Sequence, residues 1–136
     1  MIATAHIVDN SADTLIARFH SRRQYSLALA EPLTSEDMQL QSMPDASPTK
    51  WHLAHTTWFF ETFILRDHAD GYSHFRDGYD YLFNSYYEAE GARHTRAARG
   101  MITRPSLDEI KRYRAWVDEA MVEAIPSFDE DCRELV

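Results

Sequence analysis

Between Pro48 and Arg66 the sequence reads PTKWHLAHTTWFFETFILR, and a helix drawn through it has almost no polar face. At about 100° per residue, Trp51, Ala54, His55, Trp58, Thr62 and Leu65 gather on one side, while Leu53, Phe60 and Ile64 fall opposite. Phe59 and Phe63 lie between them, beside His52. Such a helix is stable only when other elements enclose it, so it is expected at the centre of the fold. Ser47 stands where an N-cap belongs, with Pro48 at the first helical position, where its missing N–H and fixed φ cost nothing.

The enclosing elements are also helical by pattern. Residues 11–31 space Leu15, Ile16, Phe19, Leu27 and Ala30 for one face and place Arg18, Arg22 and Arg23 on the other. From Pro32 to Pro48, three prolines and several Ser and Asp residues indicate a connector with one short turn, pinned to the core by Met38, Leu40 and Met43. Residues 67–81 read as a loop, followed by a short helix from Tyr79 to Ala89 that Gly91 ends. Ser106 and Glu109 form a capping box, after which Leu107, Ile110, Tyr113, Val117, Met121 and Ala124 recur at helical spacing until Pro126. Ser127 and Glu130 repeat the box, and the sequence reaches Val136 two turns later, which suggests a fourth helix cut short. The pattern as a whole predicts an all-α, up-and-down bundle formed by a single domain over residues 1–136.

A length of 136 residues is enough for a self-standing core, and 44% hydrophobic with 26% charged residues is a globular composition. The formal net charge of -8 argues against nucleic acid as a partner, because phosphate binding needs a basic face. No apolar run long enough to span a bilayer and no leader pattern occur, so a cytoplasmic protein without membrane association is expected. Cys132, the single cysteine, has no disulfide or zinc partner and reads as a reduced, half-buried structural residue.

His52 and His55 are three residues apart and admit two readings. In one, imidazole is a half-polar packing residue. In the other, one of the pair is a metal ligand: neutral imidazole suits Fe, Zn, Ni or Cu, and a mononuclear oxygen-activating iron site needs about three protein ligands with open positions for substrate and dioxygen. One helix cannot supply them all, whereas a bundle can project ligands inward from facing helices. His6, His20, His68, His74 and His94 are scattered and read as solvated; Glu61 points away from His55 on the wheel. In this acidic chain, GARHTRAARGMITRPS (residues 91–106) contains Arg93, Arg96, Arg99 and Arg104 without a carboxylate. The cluster suits either pairing with acidic surface elsewhere or capture of an anionic small molecule through forked hydrogen bonds. Tyr81, Asn84, Tyr86 and Tyr87 just upstream either line a pocket or pack half-buried.

SMPDASPTKWHLAHTTWFFETF together with FNSYYEAEGARHTRAARGMITRPSLDEIKRYR closely resembles the amino-terminal DinB-like domain of the ergothioneine-biosynthesis sulfoxide synthases, or hercynine oxygenases. The similarity runs from about Arg22 to Val136. It implies a DinB-like four-helix bundle in which a non-haem Fe(II) held by three histidines uses dioxygen to join a cysteine-type thiol to the imidazole of trimethylated histidine. By that resemblance His55 is one iron ligand, His52 is packing or support, and Arg96 and Arg99 contact the thiol substrate's carboxylates. The family's other two ligands stand in a His-x-x-x-His motif on the fourth helix, and a carboxy-terminal domain resembling formylglycine-generating enzymes completes its site; neither is present in this sequence. This chain alone is therefore expected to hold Fe(II) poorly and to be inactive. Two alternatives remain open: a stand-alone DinB-type, metal-dependent thiol transferase completed by oligomerisation, and a non-catalytic helical interaction module. A homodimer through the incomplete bundle is compatible with either.

Overall fold

The computed structural model describes residues 8–136, and its elements are helical throughout that range. Helix α1 spans Ala12–Ala30, α2 Ser35–Gln39 and α3 Thr49–Phe60. The backbone of α3 continues through a π-helical stretch, Glu61–Leu65, into α4, Arg66–His68. Then follow α5 (Tyr79–Phe83), α6 (Leu107–Ala124) and α7 (Glu130–Leu135). None of these helices is long and apolar enough to cross a membrane.

As its all-round apolarity predicts, α3 is central: it packs most extensively on α6 and also touches α1, α2 and α5. Leu53, Ala54, Trp58, Ile64 and Leu65 are buried, facing Leu15 and Phe19 of α1 and Ile110, Tyr113, Val117 and Met121 of α6. The i, i+3, i+4 spacing of the α6 set places all four on one stripe, and each buried side chain contributes roughly 1.5–3 kcal/mol.

Several local expectations are corrected. Pro48, not Ser47, is the N-cap residue of α3, and no side chain caps the helix; the Ser47 hydroxyl instead accepts from Arg99 Nη1 at 2.8 Å. The predicted helix from Tyr79 to Ala89 stops at Phe83, because Asn84 closes a turn on Tyr87: its Oδ1 accepts from Tyr87 N at 3.0 Å and its Nδ2 donates to Tyr87 O at 2.9 Å. A separate 3₁₀ turn, Glu88–Glu90, is the element that Gly91 ends, at φ 101°. Ser106 does cap α6, accepting from Glu109 N at 3.3 Å, but the Glu109 carboxylate turns to Arg76. Asp129, not Ser127, caps α7, accepting from Cys132 N at 2.8 Å. Met38 is buried, while Leu40 and Met43 are exposed and anchor nothing. Cys132 is fully buried rather than half-buried.

Arg23, assigned by pattern to the outer face of α1, is 5% exposed. Its Nε donates to Asp118 at 2.7 Å and its Nη2 to Thr57 Oγ1 at 2.6 Å. Arg114 of α6 lies beside it, also buried, donating to Leu53 O at 3.0 Å and Arg23 O at 3.1 Å. Both form part of the wall of a groove of about 1130 Å³ between α1 and α6, which Leu27, Leu53 and Val122 also line.

Candidate functional site

On the other side of α3, Trp51 and His55 stand one turn apart and end on the same short helix. Trp51 Nε1 donates to Leu82 O at 2.8 Å, and His55 Nδ1 lies 2.6 Å from Phe83 O. Both acceptors belong to the last turn of α5, where helix carbonyls have no partner within the helix. A carbonyl can only accept, so Nδ1 of His55 carries the proton and Nε2 is left with a lone pair. This is the second-shell arrangement that fixes a ligating histidine in one tautomer and one orientation.

Two indoles hold the ring flat. His55 stacks on Trp51 at 4.7 Å between centroids, 9° from parallel, and on Trp58 at 5.6 Å and 20°. Trp58 in turn meets Tyr87 at 5.8 Å. The imidazole is half-buried, and burial pushes its pKa below the ordinary 6.5; the Phe83 carbonyl opposes that shift, while Arg99 and His52 add to it. The neutral ring, the form that binds a metal or accepts a proton, is therefore favoured.

The arginine loop reaches this stack through one member. The Arg99 guanidinium lies 3.6 Å over the Trp51 ring. It is only 3% exposed, and among the described residues it has no carboxylate partner and no acceptor for Nε. Desolvation, with Arg96 and Arg93 nearby, lowers its pKa to about 10. Arg99 thus remains a cation short of an anion. Arg96 is half-buried and stacks at 4.5 Å on Tyr86, and Arg93 is exposed, 3.8 Å from Glu88.

Side chains from residues 39–50 clamp the backbone of this loop. Gln39 Nε2 donates to Gly100 O and Ile102 O at 3.0 and 2.8 Å; Gln41 Nε2 donates to Arg96 O at 2.8 Å, and its Oε1 accepts from Gly100 N at 2.7 Å. The buried Lys50 ammonium donates to Ile102 O at 3.0 Å and to Gln39 Oε1. None of these polar residues was singled out by pattern; a connector of Gln and Ser between two helices carries no periodic signal.

The remaining sequence candidates either flank this stack or lie away from it. His52 is exposed and meets Trp51 edge-on. His20, His68 and His74 are exposed, His74 pairing with Asp77; His94 is half-buried against Tyr81, and His6 lies outside the described residues. Tyr81, Tyr86 and Tyr87 are exposed, whereas Asn84 is buried and spent on its turn. Burial raises the Cys132 thiol pKa, with Asp129 adding to the effect, which leaves the sulfur protonated and unreactive. Glu61, as expected, is not a partner of His55. Pattern missed its role: it is buried and accepts from Tyr72 Oη, from Phe75 N at 3.1 Å and from Tyr113 Oη at 3.0 Å.

Among the described residues no three His, Cys, Asp or Glu side chains converge to hold a metal ion. His55 has the tautomer of a ligand, but these residues supply one donor and not a set, so a complete metal centre does not fit them alone. The α1–α6 groove is not an extension of this site, since it includes none of His55, Arg96 and Arg99. What the arrangement offers is one fixed imidazole nitrogen and, across an indole, one buried cation.

No curated protein matches the chain. The description of the DinB superfamily fits residues 18–133, a span that takes in most of α1, the central α3, the arginine loop and α6. An all-α bundle with a histidine presented from its central helix, matched over this length, makes the chain a member of the DinB superfamily.

Proposed function

We propose that this chain is the metal-histidine domain of an iron(II)- and dioxygen-dependent sulfoxide synthase, which joins a cysteine-type thiol to trimethylated histidine in ergothioneine biosynthesis. His55 is one iron ligand, and Arg96 and Arg99 receive the carboxylates of the thiol substrate. The observation that carries the reading is the tautomer of His55: Phe83 O occupies Nδ1 and leaves Nε2 free, on a ring held between two indoles. The sequence resemblance through Trp-His-Leu-Ala-His and the unpaired cation of Arg99 support it. The other donors, and with them tight iron binding, come from outside the described residues.

The test is iron-dependent C–S bond formation by a protein carrying this chain together with a His-x-x-x-His helix. His55→Ala abolishes turnover and His52→Ala leaves most of it, because only the former removes a ring whose second nitrogen is already committed to the fold. Equal loss in both variants overturns the assignment.

A further inference from the structure

Trp51 is shared by the two groups on which the proposed function depends. The Arg99 guanidinium lies 3.6 Å from its ring and the His55 imidazole 4.7 Å from it, nearly parallel. Two planar groups that close to one ring cannot lie side by side on the same face, so they occupy opposite faces. The indole itself cannot rotate freely: it is 4% exposed and its N–H is tied to Leu82 O. The neighbouring carbonyl, Phe83 O, ties the imidazole. The guanidinium is held from its other end by Ser47 Oγ.

We propose that Trp51 is the positioning residue of this site, a partition whose two faces fix Arg99 and His55 as one unit at a set separation. The inference rests on the proposed function for what the two groups do, but its physical content is a coupling within this chain. Substrate alignment to within a fraction of an ångström is what such a partition supplies, and a carboxylate anchored at Arg99 is then aligned relative to whatever binds at Nε2. A tryptophan that merely filled the core would enclose both groups without linking them.

The test reads Arg99 through His55 in the 136-residue chain. Phenylglyoxal modification is followed at Arg99 and at Arg96, which stacks on Tyr86 and is the internal control. With Trp51 in place, His55→Asn frees one face of the indole and speeds Arg99 modification about threefold to tenfold, the scale of one desolvated stacking contact, leaving Arg96 unchanged. In Trp51→Leu, Arg99 is already fast and His55→Asn adds nothing; in Trp51→Phe, which keeps an aromatic wall, the dependence on residue 55 survives. Arg99 unmoved by His55→Asn overturns the proposal. So does a rate that rises equally at Arg96. Should Trp51→Leu not fold, the His55→Asn and Trp51→Phe arms decide alone. A protein that forms no C–S bond sinks the proposed function and leaves this coupling intact, whereas an uncoupled Arg99 sinks only the partition.

Discussion

Arg114 donates through Nη2 to the main-chain carbonyl of Arg23 at 3.1 Å, which sets two buried guanidinium groups beside a single carboxylate, Asp118. Desolvation lowers the pKa of both arginines, Arg114 to about 10, and Asp118 opposes the shift in each. Asp118→Asn leaves two buried cations uncompensated and is expected to cost about 2–3 kcal/mol, at the lower end for a broken buried pair because Asp118 is partly exposed. Arg114→Met keeps one cation to one carboxylate and fills similar volume, so its cost is about 1 kcal/mol. Urea denaturation of the two variants checks the order; a milder Asp118→Asn refutes it.

Glu61→Gln removes the charge that accepts from Tyr72, Tyr113 and the Phe75 amide. The substitution also introduces an amide N–H₂ opposite a donor, and charge-assisted bonds are the stronger kind, so a loss of about 2–4 kcal/mol is expected. Hydrogen exchange at the Phe75 amide rises with it. A Phe75 amide that stays as protected as in the parent chain contradicts the clamp.

Gly100 is required for space, not for backbone freedom. A Cβ there falls 2.8 Å from Gln41 Cβ, an atom too near its own backbone to swing away. Gly100→Ala therefore displaces Gln41 from Arg96 O and Gly100 N and costs about 1–3 kcal/mol by overpacking. Thermal melting gives the cost, and tryptic cleavage after Arg96 rises as the loop loosens.

Acid should destabilise the fold through His55. Its folded pKa lies below the unfolded value of 6.5, so above that pH both states are neutral and its contribution is flat. As the pH falls below 6.5, the unfolded chain takes up a proton that the folded chain resists, and stability declines until the lowered folded pKa is passed. His55→Gln flattens this decline of stability as the pH falls below 6.5. An unchanged slope places the proton uptake elsewhere, His52 being next, since its pKa is also lowered.

The central place of α3 and the extent of α6 are legible in sequence because both rest on periodicity, which Trp51, Trp58, Ile110 and Val117 express plainly. The caps are less so. Ser47 has the right identity for an N-cap, but an arginine 52 residues away takes its hydroxyl, and a contact across that separation leaves no local mark. The same holds for Arg23 and Glu61: a charged residue on a helix reads as solvent-facing until its partners Asp118, Tyr72 and Tyr113 are known. At the site, the charge of the arginine loop was visible, yet which arginine turns inward depends on Trp51 and the Gln41 clamp.

Leu82 and Phe83 are consecutive, and in a helix their carbonyls point the same way along the axis. Any drift of that helix end carries indole and imidazole in step, like two teeth on one gear. The gap between the rings is thus governed from a single helix end, by two adjacent oxygens.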